Sequence, residues 1–227
     1  MQRRTSGRSY TTSARATLVV GNTAYVDDDF CAKAFPGDHV KVVAAQEARR
    51  DESSPHASWK ELLQHLEQAY EFDRVVYLSN YLTPHTDIVG DIELLRSVFR
   101  TCAGRRIQLL YIAGPAGAEG AADAAGRTGK GIIAHAANDL CRYYAAREGV
   151  QTKILRVPFL YTASAALEDP FLVPMLDECS TGSAALQGAQ DAAFPLLCAE
   201  ELAVLVRRIF DSWNGNFETL DVADTFH

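Results

Sequence analysis

The sequence predicts an α/β fold built on a doubly wound parallel sheet, with a small C-terminal lobe. Three observations carry this. From Ala16 onward, short runs rich in β-branched and aliphatic residues alternate with longer segments of helical spacing. The runs are apolar at successive positions rather than alternate ones, as in strands covered by helices on both faces. A chain of 227 residues, 48% of them hydrophobic, can fill the core of one large domain.

The strands are expected, in order, at 16–20, 40–44, 74–78, 107–113 and 152–157, each bounded by turn or charged residues. Between them, helical spacing runs over 28–34, 58–70, 88–101 and 132–148. Ser58 before Trp59, with Glu61 three positions on, reads as a capping box opening the second of these helices. The stretch 46–57 (QEARRDESSPHA) is too polar to supply the third strand of such a sheet and reads as loop. Segment 114–129 (GPAGAEGAADAAGRTG) has no bulky apolar residue to bury, so it is expected to be a mobile loop at the ligand end of a strand: a lid or a plain insertion. Beyond Ala163 the sequence predicts an amphipathic piece at 171–178, a strand at 193–198, a helix at 199–213 and a last strand at 219–222.

Composition narrows the function classes. A net charge of −7 opposes a phosphate-backbone partner, so nucleic acid is not expected. No stretch has the roughly 18 uncharged apolar residues of a membrane span. Cys31, Cys102, Cys141, Cys179 and Cys198 form no Cys-x-x-Cys pair and lie mostly among apolar residues, which predicts buried thiols in a reducing cytoplasm. Residues 1–15 carry four arginines and no acid or apolar stretch. They read as a disordered leader ahead of a 16–227 domain, and an organellar transit peptide has a similar composition. His39, His56, His65, His85, His135 and His227 show no metal-ligand spacing, so no metal is expected.

Four segments in order then carry a resemblance. LVVGNTAYV (18–26) is similar to a strand-to-helix turn of the type Gly-x-x-Gly-x-x-Gly, and LSNY (78–81) precedes DIVGDIELLRS (87–97), similar to Asn-Val-x-Gly-Thr-x-x-Leu-Leu. YYAAREGVQTKILRVPFLYT (143–162) resembles a helix followed by Ile-Leu-Arg and Pro-x-x-Tyr-Gly, and FPLLCAEELAVLVRRIF (194–210) resembles a later strand and helix. Together they resemble the extended short-chain dehydrogenase/reductase superfamily, the NAD-dependent epimerase/dehydratase type. The resemblance implies a Rossmann-like domain binding NAD or NADP in a cytoplasmic protein, a dinucleotide or other small molecule as partner, and pairing into a homodimer, or with a partner domain, through helices such as 88–101 and 132–148.

Carried over residue by residue, it places the cofactor against Gly21, Asn22, Thr23, Ala24, Tyr25 and Val26 of the turn, against Ser79, Asn80 and Tyr81, and against Pro158 and Tyr161. The match is degenerate. Of the three glycines only Gly21 is kept, with Ala24 and Asp27 at the other two positions. Asp27, Asp28 and Asp29 stand where helix N–H groups would hold a pyrophosphate; an acidic cap run accounts for them, and a metal-assisted phosphate site is the other reading. Arg49 and Arg50 read as an exposed basic pair or as contacts for a 2′-phosphate. The acid/base Tyr falls at Lys130, its Lys partner at Ala134, and the hydroxyl residue at Ala113, Gly114 and Pro115. Lys130, Thr128 and Tyr161 are the substitutes the sequence offers. The expectation is a domain without the usual hydride chemistry, acting in nucleotide sensing or protein interaction. An active oxidoreductase or nucleotide-sugar epimerase using those substitutes, and a structural oligomerisation scaffold, are the alternatives.

Overall fold

The computed structural model describes residues 15–44, 71–79, 88–114, 122–123, 126–127, 129–161 and 196–222. The strands are β1 (Ala16–Gly21), β2 (His39–Ala44), β3 (Arg74–Leu78), β4 (Gln108–Ala113), β7 (Gln151–Arg156) and β10 (Phe217–Asp221), with small pairs formed by β5 (Ala122–Asp123) and β6 (Gly126–Arg127), and by β8 (Phe159–Tyr161) and β9 (Leu196–Cys198). The helices are α1 (Asp28–Ala34), α2 (Ile88–Cys102), α3 (Gly129–Arg147) and α4 (Ala199–Asp211). Six strands form one sheet in the order β10-β7-β4-β3-β1-β2, every neighbouring pair parallel. The order reverses between β1 and β3, which creates a switch point at the carboxyl ends of those strands.

Alternation along each strand builds two cores. Leu18, Val75, Tyr77, Leu109 and Tyr111 face Leu94, Val98 and Phe99 of α2 and Cys141 and Tyr144 of α3. The intervening Val19, Val76, Leu110 and Ile112 face Phe30 of α1 and Leu202, Val206 and Phe210 of α4. Each fully buried aliphatic side chain contributes roughly 1.5–3 kcal/mol relative to exposure. Because both faces are covered, the central strands show the continuous apolar runs seen in the sequence. The amino ends of the strands are tied by a polar cluster in which Asp38 accepts from the Thr17 hydroxyl at 3.1 Å and pairs with the buried Arg74 guanidinium at 3.3 Å.

Several expectations need adjusting. The last strand runs Phe217–Asp221 rather than 219–222, because pairing with β7 aligns Phe217 with Thr152. Helix α3 begins at Gly129, three residues before the apolar periodicity does, since a first turn has no need of an apolar face. The Gly/Ala-rich segment is not loop throughout: Ala122 pairs with Arg127 and Asp123 with Gly126, antiparallel. The small β8–β9 pair was not foreseen as a pair. In the described C-terminal part, β10 joins the main sheet as its edge strand and α4 packs on one face of that sheet. Residues 1–14 of the leader, the polar stretch 46–57, the helix 58–70 and the piece 171–178 lie outside the described residues. Among the described residues no helix is long and apolar enough to cross a membrane, and no group of three His, Cys, Asp or Glu could hold a metal.

Candidate functional site

The carboxyl ends of β1, β3, β4 and β7 converge on an open cleft of about 310 Å³, counting the part open to solvent. Asn22 and Tyr25 line it after β1, Leu78 and Ser79 at the end of β3, and Ile112, Ala113 and Gly114 at the end of β4. Val157, Pro158 and Leu160 close the far side. The strand ends are stitched together, with the Ser79 N–H donating to the Ile112 carbonyl at 3.1 Å and the Val157 N–H to the Ala113 carbonyl at 2.9 Å. Those backbone donors are spent on the sheet, so the side chains of Asn22, Tyr25 and Ser79 carry the polar chemistry of an otherwise largely apolar wall.

Gly21 explains the shape of the first turn. Its φ of +113° favours glycine, and a Cβ there would lie 2.1 Å from the Leu78 carbonyl oxygen. That carbonyl accepts from the Asn22 N–H at 2.9 Å, so the chain leaves β1 by pressing against the end of β3. The turn then satisfies itself: the Ala24 N–H meets Asn22 Oδ1 at 3.4 Å, and the Val26 N–H meets the Thr23 carbonyl at 2.9 Å. Asp27 caps α1 by accepting from the Phe30 N–H at 2.7 Å. Asp28 and Asp29 occupy the first turn, and Asp29 pairs with Lys33 at 2.6 Å. An acidic cap run therefore accounts for all three aspartates. Burial, reinforced by Asp28 and Asp27, pushes the Cys31 thiol up.

The nicotinamide end that the resemblance implies holds other groups. Ala113, a methyl side chain, lines the cleft where the hydroxyl residue was sought. Ala134 lies half-buried on α3, and Lys130 falls in its first turn. Tyr161 is not among the residues lining the cleft. It sits on β8 opposite Cys198 of β9, and its phenol hydrogen-bonds the Cys198 thiol. Cys198, then burial and the nearby glutamates, raise the phenol above its ordinary range. The same thiol donates to the Glu200 carboxylate, and this bond is the largest influence holding Glu200 below the usual carboxylate range. Burial, then that hydrogen bond, pushes the Cys198 thiol up, so the cluster favours a protonated phenol and thiol.

Of the residues proposed from sequence, the fold gathers Asn22, Tyr25, Ser79 and Pro158 around one cleft. Gly21, Thr23, Ala24 and Val26 shape its approach without lining it, whereas Asn80, Tyr81 and Thr128 lie outside the described residues. Sequence reasoning missed Leu78, Ile112, Val157 and Leu160 as lining residues. The signal that could have found them is their place at the carboxyl ends of strands flanking the switch point.

Solved structures share this architecture. A short-chain dehydrogenase/reductase superfamily protein from Agrobacterium tumefaciens, solved with bound NAD, superposes with a TM-score of 0.62 at 11% identity over 90% of this chain and 76% of its own. WbmF of Bordetella bronchiseptica, in complex with NAD+ and UDP, gives 0.63 at 13% identity over 92% and 72%. UDP-glucose 4-epimerase from Brucella ovis, in complex with NAD, gives 0.61 at 16% identity over 92% and 77%. The chain has the extended short-chain dehydrogenase/reductase fold. No family model and no curated protein sequence matches it. In this fold the switch-point cleft is where the sequence resemblance led, and the chain fits a dinucleotide unevenly. Ser79 and Asn22 offer polar contacts, whereas the place where the resemblance would put a pyrophosphate faces a turn with three of its N–H groups, those of Asn22, Ala24 and Val26, already engaged and a helix start carrying three carboxylates.

Proposed function

We propose that the chain is a NAD-dependent epimerase/dehydratase-like domain that has lost hydride chemistry and uses its switch-point cleft to sense a nucleotide, NAD or NADP, or to present a nucleotide-dependent surface to a partner protein. The observation that carries this reading is Ala113. It lines the cleft where the resemblance calls for a substrate-polarising hydroxyl, and a methyl group neither donates nor accepts a proton. Ala134 at the position of the lysine partner points the same way.

The substitute chemistry offered by Tyr161 gains no support from its surroundings. A phenol serving as base needs a lowered pKa, and Cys198 raises this one. The scaffold reading gains little either. Among the described side chains of α2 and α3, Tyr143 is the one strongly exposed large hydrophobic residue, too little for an apolar pairing face. The three aspartates favour weak binding suited to sensing over a permanently held cofactor.

The test is titration of the purified protein with NAD, NADH, NADP and NADPH by calorimetry, followed by nicotinamide absorbance in the presence of nucleotide sugars and carbonyl compounds. The reading predicts saturable binding with no change in absorbance. Turnover of any substrate overturns the loss of hydride chemistry, and no binding of any of the four overturns the sensing role.

A further inference from the structure

A second cavity lies away from the switch point. The carboxyl-terminal half of α4 and the adjoining strands β7 and β10 border an open cavity of about 290 Å³, at the lower end of the roughly 300–1,000 Å³ typical of small-molecule sites. Its apolar side is made by Leu155 of β7, Leu220 of β10, and Leu205 and Ile209 of α4. These four belong to or pack on the core shared by α1 and α4, so the surface is backed by rigid elements.

The charged groups here are not equivalent. Lys153 is buried, and its ammonium is fully engaged: it donates to Glu218 at 2.5 Å and to Asn214 at 3.3 Å, and lies 5.3 Å from the centre of the Trp213 ring. Glu218 is thereby neutralised. Arg208 lines the same cavity, is exposed, and has no ion-pair partner among the described residues; its neighbour Arg207 takes Asp211. Among the described residues the cavity therefore carries one cation without an ion-pair partner, Arg208, beside aliphatic side chains, in a chain whose net charge is −7.

We infer that this cavity binds a small monocarboxylate with an aliphatic tail, its carboxylate held by the Arg208 guanidinium and its tail laid on Leu155, Leu205, Ile209 and Leu220. A planar guanidinium matches a carboxylate through two parallel hydrogen bonds. A single unpaired cation among the described residues suits a singly charged head, since a dianion would bring a second charge with no counter-ion among them to meet it. The four aliphatic side chains of the lining favour a ligand with an apolar portion over one whose whole surface is polar. None of this depends on what the switch-point cleft binds.

The test uses the full chain and octanoate as probe, by calorimetry or by chemical-shift titration, with octanol as the uncharged control and Arg208→Gln as the variant. Arg208 is on the exposed side of α4, and circular dichroism checks that the variant keeps the parent fold. The inference predicts saturable octanoate binding, weakened about tenfold or more in R208Q, as expected for loss of a charge-assisted pair, and much weaker binding of octanol. No saturation by octanoate at millimolar concentration overturns it. So does equal binding by octanol, or binding that R208Q leaves unchanged, since either would mean apolar partition without recognition of the head group.

Discussion

Gly21 is constrained twice, by a positive φ and by the Leu78 carbonyl that would meet any Cβ at 2.1 Å. Its retention in a turn that has lost the other two glycines thus has a cause in the packing of β1 against β3, independent of any cofactor. Gly21→Ala is expected to destabilise the fold by about 2 kcal/mol or more, combining the left-handed backbone cost with the displaced carbonyl; urea denaturation measures it. Tyr77 is a second residue whose role was hidden in sequence. Wholly buried, it donates to Asp91 Oδ1 at 2.7 Å, while its ring stacks on Tyr111 with centroids 5.7 Å apart. Burial first, and the Asp91 carboxylate second, raise its phenol well above the ordinary range. Tyr77→Phe leaves Asp91 short of a hydrogen bond and is expected to cost about 1–3 kcal/mol at neutral pH.

At the scale of elements, the limits of β3 and α1 are read from sequence because local chemistry sets them. Charged Asp73 and Arg74 start the one, and the Asp27 cap starts the other. The limits of β10 are not, because its register is imposed by β7 and Phe217 is partly exposed. The β8–β9 pair joins segments far apart in the chain, and no periodicity within three residues announces it. The candidate site divides the same way. Asn22, Tyr25, Ser79 and Pro158 were legible through the matched motifs, whereas Leu78, Ile112, Val157 and Leu160 look like any other core residue until the strand order is known. The start of α1 yields a prediction of its own. Asp27 alone supplies the cap, so Asp28→Asn with Asp29→Asn keeps the helix while removing two charges from the expected pyrophosphate position. The helix should be slightly destabilised, since both charges favour its N-terminus and the exposed Asp29–Lys33 pair is lost. Dinucleotide affinity, measured by calorimetry, should rise about thirtyfold if each of the two charges opposes the phosphate by roughly 1 kcal/mol.

For the whole molecule, two cores on opposite faces of one sheet fix how stability responds to pH. Burial raises both the Tyr77 phenol and the Cys141 thiol, so the native state keeps protons that the unfolded chain releases. For groups raised in this way, the contribution is complete below the unfolded values, roughly 8.5 for a thiol and 10 for a phenol, and fades as pH rises through them. The urea midpoint is therefore expected to fall between about pH 8 and pH 11, and to fall less steeply in Tyr77→Phe. The same architecture separates three regions: a polar tie at the amino ends of the strands, a cleft at their carboxyl ends, and a mixed cavity beside β10. The fold is shared with proteins solved with NAD, and the proposed role of this cleft is to recognise a nucleotide without hydride transfer. Calorimetric titration of the unmodified chain with NAD, NADH, NADP and NADPH tests that most directly. The account predicts saturable binding, strengthened by the Asp28→Asn and Asp29→Asn pair, and absence of heat and of thermal stabilisation at millimolar concentration of all four would contradict it.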